Sequence, residues 1–215
     1  MPTAMTFTSL QEDVRRYLER GYVDDTTVYE QLPRLVNLAE RAIATELKFQ
    51  GFINVVVTSL VQGTSVYDKP DRWRQTVSLN FGTGDTNNSR TPLYARSYEY
   101  CRYYWPDSTQ QAVPLFYADY DYQHWLVVPT PAANYPMEVV YFQQPPLLDD
   151  TNETNWLTDY APNALLYRTL LEATPFLKND QRIPTWQAMY SQQMQTINTQ
   201  DLQKIVDRAA TRKNP

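Results

Sequence analysis

The sequence predicts an α+β protein: a four-helix bundle formed by N- and C-terminal helices, a small antiparallel β module inserted into it, and an extended C-terminal tail. Three observations carry that prediction. Apolar residues recur at helical spacing over residues 10–47 and again over 162–207. Between these stretches, short runs rich in β-branched residues alternate with polar ones and are cut by Pro and Gly turns. The simplest way to bury four amphipathic helices is one bundle, and the strands then form a module between its second and third helix. Residues 1–51 and 155–207 are therefore expected to make the bundle, 52–154 the β-rich module and 208–215 the tail.

Each element has its own local justification. Ser9 followed by Glu12 reads as a capping box, and Leu10, Val14, Tyr17 and Leu18 then share a helix face that Gly21 ends. Thr27 and Glu30 suit a short lead-in. Pro33 fits a first helical turn, where its missing N–H costs nothing. The stripe Leu35, Leu38, Ala39, Ala42, Ile43, Leu47 follows and stops at Gly51. From Phe52 the character changes to strand, with Ile53, Val55 and Val57 alternating with their neighbours. Further strands are expected over 65–67, 74–80, 93–96, 115–118, 124–128 and 137–142. A short helix is expected over 98–105, closed by Pro106, and Pro129 and Pro131 force a break between two strands. Pro162 opens a third long helix carrying Leu165, Leu166, Leu170 and Leu171, with Pro175 near its end. Pro184 opens the last, carrying Trp186, Met189, Tyr190, Met194 and Ile197.

Composition bounds the function. A chain of 215 residues with 42% hydrophobic and 20% charged content is globular, which excludes disorder of the whole chain. No apolar run approaches the ~20 residues of a membrane span, and the first residues carry no signal-peptide pattern. One cysteine and one histidine exclude a disulfide framework and a Cys/His metal cluster. Five glycines, none in a GxGxxG or GxxxxGK(S/T) string, argue against a Gly-rich phosphate loop. The net charge is −5. Between Arg102 and Arg168 there is no lysine or arginine, while Asp107, Asp119, Asp121, Glu138, Asp149, Asp150, Glu153 and Asp159 fall there. Such a stretch cannot grip a phosphate backbone, which needs clustered cations. Arg208, Arg212 and Lys213 make the end basic, too sparsely for a convincing nucleic-acid patch.

The chemically capable residues are few. Cys101 and His124 are the single pair from which a nucleophile–base dyad could arise; the plainer reading is a buried thiol and a strand histidine. Asp119 and Asp121 point to one side of a strand or turn, as paired carboxylates of a glycosidase would, or as charges that keep an edge soluble. Asp149, Asp150, Asn152 and Glu153 lack the glycine of a calcium loop and read as capping residues. No cofactor, metal or catalytic residue is expected. Seventeen tyrosines are unusual, and tyrosine is enriched at protein interfaces. Tyr98, Tyr100, Tyr103, Tyr104 and Trp105, with Tyr120 and Tyr122, are the candidate subunit or tail interface.

Several strings align in order: 35–47 (LVNLAERAIATEL), Tyr104-Trp105-Pro106, Pro114-Leu115-Phe116-Tyr117, Val128-Pro129-Thr130-Pro131, Pro145-Pro146-Leu147, Thr154-Asn155-Trp156-Leu157 and 164–173 (ALLYRTLLEA). Together they resemble the head-to-tail adaptor (connector, tail tubular protein A-like) proteins of short-tailed phages, over roughly residues 7–202. The resemblance implies a non-enzymatic virion protein in the neck between head and tail, assembled in the host cytoplasm. It implies a dodecameric homo-oligomeric ring below the portal protein that meets the tail nozzle and fibre proteins and extends a channel through which DNA passes without specific binding. Arg208, Ala209, Ala210, Thr211, Arg212, Lys213, Asn214 and Pro215 would then be the portal-docking segment. The competing expectation, from the aromatic residues and paired aspartates, is a carbohydrate-binding or glycan-degrading tail component.

Overall fold

The computed structural model describes residues 4–47, 52–82, 90–177 and 180–211, with side chains described as far as Thr199. The chain divides into two compact units, one made from residues 1–51 and 145–215 and the other from the continuous stretch 52–144.

The first unit is helical. Helix α1 (Phe7–Leu18) has its cap three residues before the expected Ser9. Thr6 is its cap, exchanging hydrogen bonds with Ser9 at the third helical position. The Phe7 N–H also donates to the Glu153 carbonyl at 2.8 Å, and the Thr8 N–H and hydroxyl donate to the Glu153 carboxylate at 3.0 and 2.8 Å. Glu153 is thus an acid at the positive end of α1, and these bonds hold its pKa below the usual value. Glu19 closes α1 at φ 56° and Gly21 follows at φ 81°. A Cβ on Gly21 would lie 2.9 Å from Val28 Cγ1, so Gly21→Ala suffers both backbone strain and a clash. We expect it to lower the unfolding free energy by about 2 kcal/mol; a denaturation midpoint equal to wild type would refute this.

After the short α2 (Thr26–Tyr29), α3 (Leu32–Glu46) has Pro33 in its first turn and buries Leu32, Leu35, Val36, Ala39, Ile43 and Ala44. Glu40 lies on the same buried side, 3% exposed. Its carboxylate accepts from the Leu148 N–H at 3.1 Å and from the Asn155 side-chain amide at 2.5 Å. Asn155 also caps α5 (Trp156–Tyr160) through the Leu157 N–H. Burial raises the Glu40 pKa to about 7, against the pull of those two hydrogen bonds. Helix α6 (Pro162–Glu172) buries Ala164, Leu165, Leu166, Thr169 and Leu170. Adjacent positions on a helix point in different directions, so α6 is covered on more than one side, and α1, α3, α5 and α7 pack against it. A 3-10 turn (Thr174–Phe176) at Pro175 closes it. Helix α7 (Ile183–Thr211) buries Trp186, Tyr190 and Met194, spaced by four.

The second unit is a seven-stranded sheet with one short helix. The strands are β1 (Ile53–Leu60), β2 (Val66–Asp68), β3 (Trp73–Phe81), β4 (Thr91–Ala95), β5 (Phe116–Asp119), β6 (His124–Val128) and β7 (Tyr135–Gln143), and the helix is α4 (Tyr98–Tyr104). Their order across the sheet is β1-β7-β3-β4-β5-β6-β2. All pairings are antiparallel except β4–β5, which α4 bridges as a crossover. The sheet curls, so that Trp125 and Val127 of β6 meet Leu79 and Phe81 of β3 and Met137, Val139 and Tyr141 of β7 in one core. The alternate β6 residues, Leu126 and Val128, face the other way and meet Cys101 and Ala118. This two-sided burial explains the unbroken apolar string of β6.

Two expectations are overturned. The fold is a mixed α/β arrangement with a curled seven-stranded sheet, not a four-helix bundle carrying a small β module. The long strands β1 and β3 both pair with β7 across large sequence separations, and α1, α3, α5 and α7 gather around α6. The extended tail is also corrected over part of its length. Helix α7 continues to Thr211, so Arg208, Ala209, Ala210 and Thr211 are helical, as the high helix propensity of alanine favours. Arg212, Lys213, Asn214 and Pro215 lie outside the described residues.

Candidate functional site

Helix α4 and the strands beside it gather most of the sequence-predicted aromatic residues. Ser97 caps α4 by accepting from the Tyr100 N–H, and the buried Cys101 anchors the helix to the β5–β6 core. Seven residues with one inward anchor leave the other side chains outward. Tyr100 and Tyr104, one turn apart, stack at 6.2 Å between centroids, and both meet Phe116 of β5 edge-on at 5.5 and 5.1 Å. Tyr98 reaches Tyr120 at 6.0 Å. Tyr103 is 89% exposed. Trp105 is half-buried against the Cys101 cluster, its indole N–H donating to the Gln110 carbonyl at 3.2 Å.

Cations lie on these rings. Arg96 sits over Tyr100 and Phe116, at 5.7 and 5.4 Å from the centroids. Arg102 sits over Tyr98 and Tyr120 and donates to the Tyr98 hydroxyl at 3.1 Å. Guanidinium–ring contacts of this kind are favourable even at a wet surface. The aromatic string of the sequence is therefore one cationic-aromatic face, and the half-buried Phe116 is a member that sequence reading missed. The β4–β5 pairing that brings it beneath α4 leaves no local signal.

Tyr122 belongs elsewhere. It is 79% exposed and meets Trp73 edge-on at 6.2 Å, in a shallow cavity of about 400 Å³ shared with Lys69, Arg72 and His124. Lys69 lies 3.8 Å above the Trp73 ring and is nearly buried, its ammonium 2.7 Å from the Asp119 carboxylate and 2.9 Å from the Asp121 carbonyl. Asp119 and Asp121 thus have different partners. Asp121 holds His124 Nδ1 at 2.7 Å and accepts from the Gln123 and His124 N–H groups, which keeps its pKa low. Asp68 faces His124 Nε2 at 3.2 Å. With both ring nitrogens engaged by carboxylates and Cys101 enclosed by Ala118, Leu126 and Val128, the two residues do not form a dyad. Burial raises the Cys101 thiol pKa, which disfavours the reactive thiolate.

Asp149 accepts from the Thr151 and Asn152 N–H groups and shapes its own loop. Among the described residues, no three His, Cys, Asp or Glu side chains cluster as metal ligands, and no helix is long and apolar enough to cross a membrane. What the surface offers is a cluster of rings and guanidiniums, residue types that are enriched at protein interfaces.

A family model described as SU10 adaptor protein matches residues 5–213. No curated relative matches the chain.

Proposed function

Since the chain belongs to the SU10 adaptor protein family, and so is a structural adaptor of the phage virion, we propose that its copies close into a ring joining the portal to the tail and extending the DNA channel. The match over nearly the whole length of the chain carries the adaptor reading. The resemblance noted in the sequence supplies the ring, of the dodecameric kind, and its neighbours, a portal on one side and nozzle and fibre proteins on the other. Two features of this chain fit such a part. The cation-free, acid-rich stretch between Arg102 and Arg168 suits a component past which DNA slides, because phosphates are repelled and find few cations to hold them. The α4 face offers stacked tyrosines for contact with a neighbouring copy or with the tail.

The portal-docking role falls to residues 208–215. Helix α7 buries Trp186, Tyr190 and Met194, yet it runs on to Thr211, about 25 Å past Met194 at 1.5 Å per residue. Arg208 would reach a portal groove on the end of a helix rather than on a loose strand. Truncation after Asp207 tests this. The shortened chain is expected to melt within about 1 kcal/mol of wild type, because no core residue described here is lost, and to be absent from portal-containing particles on sedimentation. Recovery of the truncated chain in those particles at wild-type stoichiometry would reject the docking role.

A further inference from the structure

The sheet of the second unit parts at β4, and the parting makes a cleft. Thr91, Pro92 and Leu93 pair with β3 at Phe81, Asn80 and Leu79, whereas Tyr94 and Ala95 leave β3 and pair with β5 at Phe116 and Tyr117. Beyond that point β3 keeps only β7 as neighbour, and β5 keeps only β6. A cleft of about 350 Å³ opens between the first half of β3 and the end of β5, lined by Arg74, Thr76, Arg96, Tyr117 and Asp119 among others.

The charges around this cleft are unbalanced. Asp119 is already held by Lys69 at 2.7 Å. Arg74 is half-buried, and its side chain has no hydrogen bond or ion pair with any described residue. Arg96 donates to the carbonyl of its own neighbour Ala95 at 3.0 Å and otherwise lies on rings. Arg102, beside them on α4, bonds a tyrosine hydroxyl. None of the three arginines meets a carboxylate among the described residues, and Glu99 of the same helix pairs with none of them. A guanidinium presents its donors in a planar fork matched to a carboxylate, so three without one leave strong, directional donors open.

The same chain carries the complementary surface on its other unit. In the loop before α5 and on α5 itself, Asp150 and Asp159 are exposed and make no ion pair among the described residues, and Tyr160, next to Asp159 in the chain, is 72% exposed. The whole stretch from residue 103 to 167 supplies no cation of its own. A cationic cleft on one unit and an acidic loop on the other are different patches. A contact between them is therefore head-to-tail, the type that closes into a ring when the rotation allows.

We infer that the Arg74–Arg96 cleft, with Arg102 at its side, receives the acidic loop and α5 of a neighbouring copy, Asp150 and Asp159 supplying the carboxylates. The inference rests on the ring reading and names the contact that builds the ring.

The test uses full-length chains assembling onto portal-containing particles in about 0.1 M salt, with melting curves as the folding check. Arg74→Glu/Arg96→Glu and Asp150→Lys/Asp159→Lys are each expected to fold and to assemble at least about tenfold less, since like charges then face each other. An equimolar mixture of the two is expected to recover assembly. In an alternating ring every reversed cleft meets a reversed loop and every native cleft meets a native loop. Loss of folding cannot produce that recovery. Assembly of both variants at the wild-type level, or no recovery by the mixture of folded variants, overturns the inference while the ring reading stands. Loss confined to the arginine variant overturns it too and assigns the cleft to a different protein. Wild-type particles with no ring of this chain at the neck overturn the ring reading and this contact together.

Discussion

Glu40→Ala is expected to lower the unfolding free energy by about 3 kcal/mol. The carboxylate is the acceptor for two donors in the dry interior of the helical unit, the Leu148 N–H and the Asn155 amide. Alanine leaves the first with nothing to bond, and the second keeps only its bond to the Pro146 carbonyl at 2.9 Å. Each orphaned buried donor costs roughly 1–3 kcal/mol. The damage spreads because Asn155 is also the cap of α5 and joins the 146–155 segment to α3. Glu40 has a second signature in pH. Its pKa rises from 4.5 in the unfolded chain to about 7 in the folded one. Below 4.5 both states hold the proton and burial carries no penalty. Between 4.5 and 7 the unfolded chain releases the proton first, so stability falls as pH rises, by about 3 kcal/mol in all, and is level above 7. Glu40→Gln removes that slope. Chemical denaturation of the two proteins from pH 5 to pH 8 reads it directly: parallel stability–pH curves would mean that Glu40 does not hold a proton in the folded chain.

Trp125→Ala is the larger blow, about 4 kcal/mol. The indole is fully buried among Leu60, Leu79, Phe81 and Met137, where strands far apart in sequence meet. Its N–H donates to the Thr76 hydroxyl at 3.0 Å, and Trp73, which meets it edge-on at 6.4 Å, donates to the same oxygen at 3.2 Å. Alanine opens a void at the centre of the sheet core. Phenylalanine fills most of the space and forfeits the hydrogen bond, at about 1–2 kcal/mol. A guanidinium titration separates the two, and an alanine variant within 1 kcal/mol of wild type would show that the core closes over the gap.

The positions of most elements were legible in the sequence because their causes are local. Periodicity together with Pro33, Pro162 and Pro184 located α3, α6 and α7, and the boundaries of β6 follow from Pro129 and its apolar string. The start of α1 was misjudged because the operative box is Thr6 with Ser9, which lacks the glutamate that marks the usual pattern. The architecture was not legible for a different reason. Which strand lies beside which depends on partners up to about ninety residues away, as in the pairing of Ile53 with Phe142, and no short window records it. The same limit governed the surface. The tyrosines of α4 were visible as a string, whereas Phe116 beneath them and Arg74 in the cleft acquire their roles only from the way β4 changes partners.

The interrupted composition of the helical unit bears on how the chain matures. The residues of the sheet unit are contiguous, whereas α1 and α3 must wait for α6, the helix they pack against, until a hundred further residues have left the ribosome. During translation the sheet can therefore be complete while the amino-terminal helices still expose the apolar side of Leu10, Val14, Leu35 and Ile43. Early release of a nascent chain between residues 144 and 162 yields a finished sheet joined to an unpaired, sticky helical segment, the fragment most prone to aggregate or to be captured by a chaperone.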